Sequence, residues 1–213
     1  MSNLPQTISA PKITYDQIKK YANTFLKQYQ PEGTLPIPIE EIIEVKLKIH
    51  LIPIPYLKKT VGKEAFISGD LSEIWVDEKA YSTNSNRLHF TLAHEIGHKI
   101  LHPSIYRERP IDGYANWTKF MGNINEKNEF YWFERQANIF AGLVLVPPES
   151  LEKHIKPYKK VLEEVIGNHP EMSRESLIKN SIPYITKQLS DIFQVSEQVI
   201  EIRIEKDKLS NKL

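Results

Sequence analysis

Residues 87–103 read RLHFTLAHEIGHKILHP, and inside them His94-Glu95-Ile96-Gly97-His98 sets two imidazoles four residues apart with an acid next to the first. Seven His and 21 Glu scattered at random over 213 residues would produce this five-residue pattern roughly 0.02 times, so chance explains it poorly. The surrounding stretch, from about Asn84 to His102, has helical spacing. The Ser82-Thr83-Asn84-Ser85 cluster caps its start and Pro103 ends it. Residues i and i+4 of a helix lie one turn apart, with Cβ atoms about 5–6 Å from each other, so both imidazoles can converge on one Zn²⁺. Glu95 leaves the helix at a different angle. It is poorly aimed as a ligand but within reach of a water at the ion's open position, where a general base has to be.

A catalytic zinc needs a third protein ligand. The metzincin pattern would place Gly and His at positions that hold Leu101 and Ser104, which excludes that class. Residues 130–147 read FYWFERQANIFAGLVLVP, and a helix over about 127–146 aligns Glu134, Ala137, Asn138 and Ala141 on one face. Small residues let a second helix approach closely, and a carboxylate from that helix would complete a His-His-Glu set. Glu134 is the first choice, with Glu126, Glu129 and His102 as alternatives.

Around this pair of helices the chain reads as one α+β unit. A helix is expected over 13–29, stopped at Pro31-Glu32-Gly33, and a shorter one in PIPIEEIIEV. Strands are expected over 47–54, 64–69 and 73–77, with a hairpin turn at Ser68-Gly69-Asp70. Residues 103–126 read as an aromatic loop carrying Tyr106, Tyr114, Trp117 and Phe120. Further helices are expected over 149–166 and 173–193, the latter interrupted by Pro183, with a frayed charged tail after Glu205.

Composition limits the function classes. With 28 Lys+Arg against 27 Asp+Glu the formal charge is +1, so no dominant phosphate-gripping surface is expected. The absence of cysteine removes thiolate nucleophiles, disulfides and Cys-rich zinc sites, so any metal must sit on His and carboxylate. No secretory leader and no apolar stretch of about 18 residues is found, which makes a cytoplasmic protein without membrane contact the expectation.

RLHFTLAHEIGHKILHP followed by ERQANIFAGLVLVP resembles the ImmA/IrrE family of cytoplasmic metallopeptidases, and IPIEEII, EAFISG and EIWVDEKA match that family's helix-then-sheet prelude. The likeness covers roughly residues 13–150. It implies a zincin-like metallopeptidase domain over 1–150, followed by a helical, helix-turn-helix-like extension over 151–213 packed on it. By the resemblance His94, His98 and Glu134 are metal ligands and Glu95 is the catalytic acid/base. One Zn²⁺ is implied, with Mn²⁺ as an alternative.

The resemblance also implies a protein substrate, typically a helix-turn-helix repressor of the phage-repressor type or an antitoxin encoded nearby, whose cleavage relieves repression. The competing class is a non-catalytic regulator that binds such a repressor, an antitoxin or DNA. Two features depart from the family pattern. The His98-to-Glu134 connection is longer than usual, so the aromatic stretch Tyr114 to Phe120 is expected to shape the cleft, and the extra sensor-like domain that some members carry is not expected here.

Among the smaller features, His102 reads as a cation at a helix end, a support for His98 or an oxyanion donor, Asn138 as an orienting partner for Glu134 or a loop cap, and Arg87 as a structural ion-pair partner. His50, His89, His154 and His169 have no partner spacing and read as packing or surface residues. In ITKQLSDIFQVSEQVIEIRIEK the turn falls at Phe193-Gln194-Val195 with Ser196 capping the next helix.

Overall fold

The computed structural model describes residues 11–83, 85–108, 116, 129–169, 171 and 173–209. Helix α1 (Tyr15–Tyr29) opens with a reciprocal cap, in which Thr14 Oγ1 accepts from the Gln17 N–H and the Thr14 N–H donates to Gln17 Oε1. A short α2 (Ile39–Glu41) runs into a π-helical turn (Ile42–Lys46). Then come β1 (His50–Ile54), α3 (Leu57–Val61), β2 (Ala65–Ile67), β3 (Glu73–Asp77) and α4 (Glu78–Thr83). Helix α5 (Asn86–Leu101) carries the two histidines and is followed by α6 (Pro103–Glu108). Next are α7 (Glu129–Leu145), α8 (Pro148–Asn168), α9 (Arg174–Phe193) and α10 (Glu197–Lys206). The result is a mostly helical α+β fold. Among the described residues no helix is long and apolar enough to cross a membrane.

The sheet has the order β1-β3-β2, with β1 parallel and β2 antiparallel to β3. Its hydrogen bonds fix which side of β2 stays open. Phe66 pairs opposite Trp75, the Ser68 N–H donates to the Glu73 carbonyl and the Asp77 N–H to the Glu64 carbonyl. The alternation of an antiparallel ladder therefore turns the backbone polar groups of Ala65 and Ile67 away from β3, toward α5. Asp77, at the end of β3, accepts from the Lys58 N–H at 3.0 Å and from the Ala80 N–H at 3.2 Å, tying down the starts of α3 and α4.

Helices α5 and α7 touch at Gly97. A Cβ there would lie 3.0 Å from Ala137 Cα and 3.1 Å from its carbonyl oxygen, so any side chain at 97 would push the two helices apart by a few tenths of an ångström. The face read as small, Ala137 and Ala141, is fully buried. Helix α1 covers the other side of α7, with the Phe25 and Phe140 rings edge to face at 5.7 Å. Buried Arg203 of α10 reaches α1 and the end of α7. Its guanidinium donates to the Val146 carbonyl, to Tyr15 Oη and to Asp207.

Several expectations need correction. Residues 47–49 are not strand, because the π-helical turn runs to Lys46 and Lys48 takes a positive φ of 57° before β1 begins. Pro103 both ends α5 and opens α6, a first-turn position where its missing N–H costs nothing, so Tyr106 lies on a helix rather than in a loop. Helix α9 passes through Pro183 uninterrupted. That residue is exposed, as is Lys179, whose carbonyl it leaves unbonded, and buried Leu177, Ile185 and Leu189 hold the helix on both sides. The chain beyond Glu205 is not frayed as far as Leu209, which is buried, while Asp207 bonds Tyr15 and Arg203. The aromatic stretch Tyr114 to Phe120 and Glu126 lie outside the described residues, apart from Asn116.

Candidate active site

Helix α5 can present its histidines where it does because Ser85 caps it, accepting from the Leu88 N–H, and because Leu88, Leu92, Ala93 and Ile96 bury the opposite side. His94 and His98 then project one turn apart toward α7, with their Nε2 atoms 2.9 Å from each other. Glu134 comes from α7 to meet them. Its carboxylate oxygens lie 3.5 Å from His94 Nε2 and 3.7 Å from His98 Nε2.

The donor atoms of the three residues all fall within 4.8 Å of one another. Three ligand atoms held tetrahedrally at about 2.0–2.1 Å from one ion would be about 3.3 Å apart, close to each of the three separations. This donor set fits a divalent first-row ion. Of the alternatives for the third position, His102 does not converge, and the side chains of Glu126 and Glu129 lie outside what the structure describes. His102 lies behind His98, against its Nδ1 rather than its Nε2.

Each imidazole is aimed by a partner on its far nitrogen. Asn138 Oδ1 accepts from His94 Nδ1 at 2.9 Å, so Asn138 orients a histidine rather than Glu134. His98 is almost fully buried, its ring stacked on Phe133 at 4.0 Å and its Nδ1 3.1 Å from His102 Nδ1. Burial pulls His98 well below the ordinary histidine range and His102 down to about 4. For His94 burial acts downward too, but the hydrogen bond with Glu134 and the charge of Glu95 outweigh it and hold the ring above its ordinary value. Burial likewise works to raise Glu134, and His94 and Lys63 reverse it, leaving the carboxyl below the usual carboxylate range.

Glu95 lines the same cavity and is anchored to the sheet, where its Oε2 accepts from the Ile67 N–H at 2.9 Å. This is the N–H that the ladder of β2 leaves unpaired. Burial drives the Glu95 carboxyl up to about 7, with the charge of His94 opposing and that of Glu134 adding. A carboxyl that changes charge near neutrality and keeps one oxygen unshared is suited to taking up and returning a proton.

These groups line a cavity of about 250 Å³ that also includes Ala65, Phe66 and Tyr106. Past Glu134 and Asn138 lies a larger groove of about 860 Å³, walled by Tyr131 and Arg135 of α7 and Ile202 of α10. Of two further cavity residues, Lys63 has no signature in the sequence and Tyr106 reads there only as one of the loop aromatics. Lys63 follows a glycine turn and brings its Nζ within 3.3 Å of Glu134 Oε2. Tyr106 is buried, and burial together with the charges of Glu95 and Glu134 pushes its phenol well above the ordinary range. Arg87 bonds Glu64 at 2.7 Å, the structural ion pair expected of it. His89 faces Glu40, His154 bonds the Ser150 carbonyl and His169 pairs with Glu171, all away from the cavity.

A family model described as the IrrE N-terminal-like domain, of the M78 peptidases, matches residues 46–205. No curated protein matches the chain. The matched span runs from the lead-in to β1 through α10 and contains every residue of the cavity just described. The chain belongs to the IrrE N-terminal-like, or ImmA/IrrE, family of metallopeptidases.

Proposed function

We propose that the protein is a zinc-dependent endopeptidase of zincin-like fold, with His94, His98 and Glu134 as metal ligands and Glu95 as general base and acid. The observation that carries this reading is the convergence of two imidazole Nε2 atoms and one carboxylate from two helices, beside a buried acid whose pKa lies near 7. An ion held by His94, His98 and Glu134 would supply Lewis-acid chemistry toward a water and the scissile carbonyl.

The protein's own groups do the rest. Glu95 keeps Oε2 on the Ile67 N–H, takes the nucleophile's proton on Oε1 and delivers it to the leaving amine. Tyr106, from the cavity wall, donates its hydroxyl to the developing oxyanion. The backbone groups of Ala65, turned out of the ladder, bond an extended substrate segment laid along the edge of β2. A polypeptide substrate agrees with the family.

The substrate we assign is a helix-turn-helix repressor of the phage-repressor type, or an antitoxin, encoded nearby and met in the cytoplasm. Residues 1–150 form the metallopeptidase domain, and 151–213 form the helical extension that walls the groove. The test is to incubate the purified protein with the helix-turn-helix protein encoded beside it, with and without chelator, alongside Glu95→Gln. Fragments that need metal and vanish with Glu95→Gln are expected. Stable co-elution without fragments would instead make the protein a non-catalytic binder.

A further inference from the structure

Behind His98, on the side away from the cavity, three buried side chains and one backbone carbonyl stand in line. His98 Nδ1 is 3.1 Å from His102 Nδ1, His102 Nε2 is 2.9 Å from Gln136 Oε1, and Gln136 Nε2 donates to the Pro11 carbonyl at 2.8 Å. His98, His102 and Gln136 are at most 3% exposed, so water does not compete for these contacts.

The direction of every proton in this line follows from its last member. A backbone carbonyl only accepts, so the amide nitrogen of Gln136 is the end turned to Pro11 and its oxygen is the end turned to His102. An amide oxygen also only accepts, which places a hydrogen on His102 Nε2. A neutral imidazole then has a lone pair on Nδ1, and no carboxylate is bonded to His102 to hold a second proton there. That lone pair faces His98 Nδ1, which must therefore carry the hydrogen. The consequence lies at the cavity, where His98 Nε2 is left with a bare lone pair directed at His94 Nε2 and Glu134.

We propose that His102 and Gln136 are positioning residues that lock His98 in its Nδ1–H tautomer, with the Pro11 carbonyl setting the direction of the whole line. The purpose of the line rests on the metal-site reading above, whereas the tautomers do not. Its effect is to couple the segment leading into α1 to the ligand quality of α5. His94 is registered separately, by Asn138 of α7, so the two histidines lose their tautomers independently.

The test uses the full chain with ring-¹⁵N histidine, treated with chelator at neutral pH, and long-range ¹H–¹⁵N correlation to read each ring. His98 is expected to carry its hydrogen on Nδ1 and His102 on Nε2. Gln136→Met keeps the volume and removes the acceptor. It should release His98 into both tautomers and weaken zinc binding 10- to 100-fold in chelator competition.

A hydrogen on Nε2 of His98 in the wild-type spectrum overturns the proposal, and that reading needs no variant to fold. A folded Gln136→Met with unchanged tautomers and unchanged zinc affinity overturns it equally. A wild-type protein that binds no zinc would defeat the enzyme reading, and the spectrum would still decide the tautomers.

Discussion

Replacing Gly97 with alanine tests the meeting of the two helices through the sign of a stability change. In an unobstructed helix interior, glycine to alanine is worth about 1 kcal/mol of added stability, from reduced backbone entropy in the unfolded chain. Here the new Cβ would stand 3.0 Å from Ala137 Cα, 3.1 Å from its carbonyl oxygen and 3.3 Å from its Cβ. Two of these three atoms are backbone and cannot rotate away, so α7 as a whole has to retreat by a few tenths of an ångström.

Overpacking of this kind costs about 1–3 kcal/mol, which outweighs the propensity gain and leaves a net loss on the order of 1 kcal/mol. Glu134 sits three residues before Ala137 on the same helix, so the retreat carries its carboxylate away from His94 and His98. Urea unfolding of the chelator-treated proteins, together with zinc affinity by chelator competition, reads both effects. Gly97→Ala is expected to unfold at lower urea and to bind zinc at least tenfold more weakly. A variant stabilised by about 1 kcal/mol with wild-type zinc affinity would refute the contact and the helix pairing built on it.

Three further outcomes follow from the same geometry. The Glu95 carboxyl has a folded pKa of about 7, above its ordinary 4.5, so its contribution to stability is present below pH 4.5 and lost as pH rises through 7. Glu95→Gln should thus raise the stability of the chelator-treated protein at pH 8, by up to about 3 kcal/mol, and leave it unchanged near pH 4. Equal melting temperatures at pH 8 would contradict the buried charge. Tyr106→Phe should lower kcat about 10²-fold with KM nearly unchanged, because a hydrogen bond to the oxyanion forms only in the transition state; a change confined to KM would remove Tyr106 from that role. Asp77→Ala should lower the unfolding free energy by about 1 kcal/mol, seen as a lower urea midpoint with an unchanged slope, since it unties the first turns of α3 and α4 together.

How far the sequence carries depends on whether the relevant contact is local. The spacing of His94 and His98, the cap at Ser85 and the small face beside Glu134 are properties of single helices, and the expected convergence is found in the fold. Helices α3 and α4 were not legible, because five or six residues are too few for periodicity. What holds them is Asp77, whose role exists only once β3 is in place. Lys63 and Tyr106 enter the cavity from elements that share no sequence period with α5. The partner of Asn138 was misread for a related reason. Its turn-spacing to Glu134 suggested an intrahelical role, but α5 lies close enough to offer His94 instead. The tail to Leu209 reads as polar along the chain and is ordered by Tyr15 and Arg203, 192 and four residues away from Asp207.

One divalent ion is expected to sit between α5 and α7. A crystal of the chelator-stripped protein soaked in zinc, with anomalous differences collected at the zinc edge, tests it most directly. A single strong peak is expected within bonding distance of His94 Nε2, His98 Nε2 and a carboxylate oxygen of Glu134. No peak there, or a peak whose ligands omit Glu134, would contradict it.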